Sequence, residues 1–188
     1  MKYTHKHLLI VCLVGILVSI SCQISAGGPT PARTVSVSTQ AVSELEEALG
    51  QVLDNPDPSG AITITLTEAQ LTFLLEQQLS QLPEPLLQNP QILLQNERAE
   101  IFGVVQMNSI TANTRLVLQV GVDQNGKLTA TLISIDIGPL PAPQSLVEKI
   151  SEVIDSTMQG SVSAMTSGLK IESVAIADGL MTITGTRQ

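Results

Sequence analysis

Apolar positions along the chain follow two periods, and the switches between them mark the elements. Gln40 to Asp54 places Val42, Leu45, Leu49 and Val52 at helical spacing, with Glu44, Glu46 and Glu47 turned away, and Asn55-Pro56-Asp57-Pro58 ends it. Those carboxylates read as a solvated helix face rather than a metal site. Ala61 to Leu66 alternates Ile62, Ile64 and Leu66 with threonines, the pattern of a strand with one buried face. At Thr67 the period changes. Thr67-Glu68-Ala69-Gln70 has the capping-box spacing, and Leu71, Leu74, Leu75, Leu79 and Leu82 follow as one stripe up to Pro83. A strand thus feeds directly into an amphipathic helix.

Past the Pro83 to Pro90 break, the spacing predicts strands over Gln91 to Asn96, Ala99 to Asn108 and Thr114 to Asp123. Gln124-Asn125-Gly126 joins the last of these to Lys127 to Ile137, and an Asn-Gly pair between alternating runs is a strong hairpin signal. Asp123 to Gly126 also has a faint likeness to a calcium loop, without the further acidic ligands or the closing Glu, so it reads as a turn. Within Lys127 to Ile137 the apolar parity shifts from Leu128, Ala130 and Leu132 to Ile133, Ile135 and Ile137. A bulge, or a strand covered on both faces, accounts for the shift. Gly138 to Pro143 is a rigid loop. Leu146, Ile150, Val153, Ile154, Met158, Val162 and Met165 then mark a second long helix running to about Ser167, and Leu169 to Ala177 with Leu180 to Thr186 form a closing hairpin across Asp178-Gly179. Consecutive hairpins plus one-striped helices predict an α+β fold.

The N-terminus carries a different signal. Lys2 and Lys6 precede a run from Leu8 to Ile20 that is apolar apart from Gly15 and Ser19, the length of a signal-peptide core and short of the roughly 20 residues a bilayer span needs. It closes on Val18-Ser19-Ile20-Ser21-Cys22, which resembles the bacterial lipobox, in which the peptidase cuts before a cysteine bearing a diacylglyceryl group. The resemblance implies a signal peptide over residues 1–21 and an extracytoplasmic protein anchored to the bacterial membrane through lipidated Cys22. Plain secretion and an uncleaved anchor are the other readings of this segment, and they too place residues 23–188 outside the cytoplasm. Gln23 to Thr39 is rich in Gly, Pro, Ser and Thr, lacks an apolar period, and reads as a flexible tether. Residues 40–188 then suffice for a single domain.

Cleavage at Cys22 changes the chemistry of the chain. It removes His5, His7, Tyr3 and Cys12, leaving no His, Tyr or Trp and no free thiol. Nucleophile systems built on His, zinc sites built on Cys or His, and an internal disulfide are all excluded for the mature chain. Loss of Lys2 and Lys6 takes the formal charge from −8 to about −10, which disfavours nucleic acid and leaves membrane attachment to the lipid on Cys22. Paired carboxylates are the remaining catalytic option, yet Asp136, in an apolar strand, has no carboxylate near it in sequence. The chain is therefore expected to be no enzyme and to need no cofactor or metal.

Three segments carry a wider resemblance: Leu66 to Leu71 at the helix start, Ile137 to Pro143 with the helix after it, and the terminal Ile171 to Gly185. Together they resemble the YpmS-like extracytoplasmic proteins of unknown function, which look like tubular lipid-binding (TULIP) domains. The resemblance spans about Ala61 to Arg187 and brings no catalytic motif. It implies a strongly curved antiparallel sheet wrapped around one or two long amphipathic helices, with acyl chains held between sheet and helix. The ligand cavity would be lined by Leu71, Leu74, Leu75, Leu79, Leu146, Ile150, Val153, Ile154 and Met158. Phe73 and Phe102 are the only aromatics left, so the apolar surface is almost wholly aliphatic, which suits an acyl channel and a solid core alike. The expected function is to bind or carry a lipid or fatty-acyl ligand; the alternative is an envelope adaptor that holds a protein partner through a sheet edge or apolar patch.

Overall fold

In the computed structural model, residues 24–25, 27–38, 43, 47, 60–82, 86–107, 110–157 and 168–187 are described. In chain order the elements are β1 (Ile24–Ser25), β2 (Ala61–Thr67), α1 (Glu68–Ser80), β3 (Gln88–Gln95), β4 (Arg98–Met107), β5 (Ile110–Val122), β6 (Leu128–Asp136), α2 (Gln144–Thr157), β7 (Leu169–Ala177) and β8 (Leu180–Arg187). The first predicted helix falls outside the described residues except at Ser43 and Glu47, which are helical. The predicted continuation of the last helix, 158–167, also falls outside them.

Strand β2 passes into α1 through the predicted capping box. The Thr67 hydroxyl accepts from the Gln70 amide at 3.3 Å, and the Gln70 side-chain oxygen accepts from the Thr67 amide at 2.9 Å. Ile62, Ile64 and Leu66 are buried while Ala61, Thr63 and Thr65 are exposed, so β2 keeps one apolar face.

Two antiparallel sheets form. In the first, β3, β4, β5 and β6 are neighbours in that order, and β1 adds a short parallel pairing to the start of β5, with Ile24 opposite Ile110 and Ser25 opposite Thr111. In the second the order is β2-β8-β7. One hydrophobic cluster joins them: Ile92, Leu94, Ile101, Val105, Leu116 and Leu118 come from the first sheet, and Ile62, Ile64, Ile171, Ile176, Met181 and Ile183 from the second. Each such side chain contributes roughly 1.5–3 kcal/mol relative to exposure. Strand β7 runs close to β5 and β3, α1 packs on β3 and β2, and α2 packs on β6.

This arrangement corrects the expected curved wrap. The fold is α+β, but neither sheet is closed or curled, and the helices sit at opposite margins of the first sheet rather than inside it. The reason lies at the outer edge of β3. The Thr72 hydroxyl accepts the Ile92 amide at 3.0 Å, and a Glu68 carboxylate oxygen accepts the Leu94 amide at 2.7 Å, so side chains of α1 occupy donors on which another strand would pair. In the second sheet, β8 is already paired on both sides.

The parity shift in β6 is a bulge. Leu118 pairs Leu132 and Val117 pairs Ser134, leaving Ile133 as the extra residue. A second bulge at Glu172, between Ile171 opposite Gly185 and Ser173 opposite Thr184, was not legible from the pattern. Pro90, expected in a break, lies within β3, where the register shifts between Gln88 and Gln91 and leaves Pro90 unpaired with β4.

Candidate functional site

The residues predicted to line a cavity come onto one apolar cluster from two sides. Leu79 and Ile150 are buried in it, and Leu71, Leu74, Leu75, Leu146 and Ile154 pack against it partly buried. Val153 is partly buried, and Met158 lies outside the described residues. Because α1 lies along β2 and β3 whereas α2 lies along β6, the two stripes meet this cluster from different margins and share it with Ile171, Ile176, Met181 and Ile183 of the second sheet. The leucine face of α1 is not its deepest face: Gln70 and Thr72 are fully buried, because they make the cap and the β3 contact.

Each helix has one buried lining position, Leu79 on α1 and Ile150 on α2, and its other described lining residues are partly buried. Along α2, only Ile150 is fully buried; Leu146, Val147, Val153 and Ile154 remain partly open above β6, whose Leu132 and Ile135 are also only partly buried. Ile133, thrown out by the bulge, keeps 45% of its surface exposed. Among the described residues no strand pairs with the outer edge of β6. The seam between α2 and β6 is thus a partly open apolar surface of the candidate lining, with Leu146 and Ile154 packed against the core.

The polar side chains fall into two groups. Arg115 lies between two carboxylates, 3.8 Å from Glu100 and 4.0 Å from Asp136, because the register sets Asp136 opposite Arg115 and Glu100 diagonally across from it. The neighbours of Asp136 that sequence spacing did not reveal are therefore cross-strand ones. One Glu100 oxygen and Arg115 Nε are buried without hydrogen-bond partners. At the β5–β6 turn, Asp123 Oδ1 accepts the amides of Asn125 and Lys127, both at 2.8 Å, and Oδ2 accepts the Asn125 side chain at 3.3 Å. The Lys127 amide in particular holds this carboxyl below its ordinary range. With both oxygens turned onto the hairpin, Asp123 acts as a turn residue. No group of three or more potential metal-ligating side chains occurs among the described residues.

Cys22 itself lies outside the described residues, but described residues in the segment read as a tether contact the domain. The Gly27 carbonyl accepts the Asn113 amide at 2.9 Å. Gly28 and Gly138 face each other so closely that a Cβ on Gly138 would stand 2.9 Å from the Gly28 Cα, and one on Gly28 would stand 2.5 Å from the Asn113 oxygen. Farther along, Arg33 meets the same Glu68 oxygen that caps β3, at 2.6 Å, and the Gln91 side chain bonds both the amide and the carbonyl of Val35. Residues 27–38 form a strap from the start of β5 to α1 and β3. Their Gly and Pro content suggests mobility, but it is what lets backbone lie against backbone here. The paired glycines are the signal sequence reasoning missed.

No family model, curated protein or solved structure matches the chain.

Proposed function

We propose that this chain is a membrane-tethered lipoprotein of the bacterial cell envelope that binds or carries an apolar ligand of the lipid or fatty-acyl class, without catalysis. The observation that carries the reading is the partly covered apolar face of α2 above β6, where Leu146, Val147, Val153 and Ile154 are partly exposed beside the core cluster. Aliphatic side chains of this kind offer an acyl chain contact without polar or stacking selection. The YpmS-like resemblance of the sequence supports the same ligand class. In this reading the acyl chain lies in the α2–β6 seam rather than between the two helices.

Two measurements test it. Native mass spectrometry of gently extracted protein should show co-purified lipid, and Val153→Asp, which puts a charge in the open seam, should remove most of it while leaving the fold intact. A preparation reproducibly free of lipid, with no affinity for fluorescent fatty acids, would defeat the ligand-binding reading. For the anchor, Cys22→Ser should abolish incorporation of labelled palmitate and release the protein from membranes.

A second reading, an envelope adaptor, is favoured by the exposed Ile133 on the bulged strand β6. Crosslinking in native membranes separates the two, because a carrier gives lipid adducts and an adaptor gives one recurring protein.

A further inference from the structure

Among the stretches of the chain after Cys22 that carry no Asp, Glu, Lys or Arg are residues 24–32, 101–114 and 137–147. They are far apart in sequence, and the fold gathers them at one end of the first sheet. Ile24 and Ser25 pair with Ile110 and Thr111, the Gly27 carbonyl takes the Asn113 amide, and Gly28 packs on Gly138 at the root of the Gly138 to Pro143 loop. The Thr114 hydroxyl, fully buried, ties the same place to the end of β6 by donating to the Asp136 carbonyl at 2.9 Å. The exposed described residues of these stretches are uncharged and partly polar, with Thr30, Gln106 and Gln144 beside Pro139, Pro141 and Pro143.

The opposite end of the sheet is charged. Strand β5 runs from Ile110 to Val122, about 40 Å at roughly 3.3 Å per residue. Around its far end stand Asp123 and Lys127 of one turn and Glu97 and Arg98 at the other, with Lys170 brought alongside by the Ile171 amide, which donates to Gly126 at 2.9 Å. The domain has a charge-free end and a charged end.

In a chain cleaved before Cys22, two residues, Cys22 and Gln23, would precede β1, and two residues span at most about 7 Å. A free tether running to Thr39 would let the domain stand off the bilayer and turn; a strap that enters the fold at Ile24 does not. We propose that the charge-free end is a membrane-contacting face, seated on the lipid bilayer that holds the diacylglyceryl group of Cys22, with the long axis of the first sheet directed away from it. The inference rests on the reading of Cys22 as a lipid-attachment site. It suits a strongly acidic domain, because the stretches pressed to the headgroups carry no carboxylate to repel them or to desolvate, and Asp136 beside them stands 4.0 Å from Arg115. It also places the start of α2, directly after the loop, next to the bilayer, so that the α2–β6 seam opens where apolar ligand would be collected.

The test uses the lipidated full chain in vesicles of phosphatidylethanolamine and phosphatidylglycerol that contain a lipid spin-labelled at the headgroup. The Cys22 sulfur is consumed by the anchor, so a fluorophore can be placed on a single introduced cysteine, Pro141→Cys at the charge-free end or Gln124→Cys at the charged end. The expected result is loss of most emission at residue 141 and none at residue 124. Equal and weak quenching at both positions, with the protein still bound to the vesicles, would overturn the seated orientation while leaving the anchor standing, and would point to a protein as the occupant of that face. Absence of lipid on Cys22 by mass spectrometry would remove the anchor reading, and this inference with it.

Discussion

Thr72 shows how one residue decides the packing of an element. Its side chain is fully buried on a helix whose leucines mark a different face, and its hydroxyl satisfies the Ile92 amide at the edge of β3. Thr72→Val keeps the shape and removes the acceptor, so a buried donor is left unmade at a cost of about 1–3 kcal/mol. Chemical denaturation should show that loss, whereas Thr72→Ser, which keeps the oxygen, should recover most of it. Asp123 offers a pH test. Its native carboxyl titrates below the ordinary value of about 4, chiefly because the Lys127 amide bonds the charged form. The stability it contributes is therefore present above that ordinary value and is lost as pH falls through the lowered native one. Thermal melts of wild type and Asp123→Ala should differ at pH 7 and converge toward pH 2; a gap that widens on acidification would contradict the assignment.

At the scale of elements, what is local in sequence is what the pattern discloses. The Thr67 cap, the Asn125-Gly126 turn, the closing hairpin and the β6 bulge are each written within a few residues, because side-chain period and turn chemistry act over that distance. In the closing turn Asp178 and Gly179 take φ of 52° and 75°, the left-handed pair that a two-residue hairpin needs. A Cβ on Gly179 would meet nothing nearer than 3.6 Å, so Gly179→Ala pays for conformation alone. It should cost on the order of 1 kcal/mol, read as a lower melting temperature with unchanged secondary structure. Asn96 and Glu97 adopt the same pair between β3 and β4, and there the sequence gives no glycine to announce it. The separation of the strands into two sheets is equally silent, since it depends on Glu68 and Thr72 reaching amides 26 and 20 residues away. Helix and strand are commensurate at this contact: four residues of helix rise about 6.0 Å and two of strand about 6.6 Å, so residues four apart on α1 meet alternate amides of β3.

For the whole molecule, the candidate site is legible in part. The apolar stripes of both helices are visible in the sequence; that they meet the core from opposite margins is not, because periodicity reports a face and never its partner. The strap is illegible for another reason. It is held by backbone contacts, two glycines and the Arg33–Glu68 and Gln91–Val35 pairs, none of which produces a period. Its contribution is measurable: a chain beginning at Thr39 should be less stable than one beginning at Gln23 by about 1–3 kcal/mol, a few hydrogen bonds less the ordering of the segment. Identical denaturation curves would show that the segment is an idle tether. The strap also determines how the molecule bears load. Tension applied at Cys22 would enter through the Ile24–Ile110 pairing and the Gly27–Asn113 bond into β5, a strand held by neighbours on both sides, rather than first into the helices. Were Cys22 the anchor proposed above, such a load would reach a central strand of the first sheet before it reached the seam beneath α2.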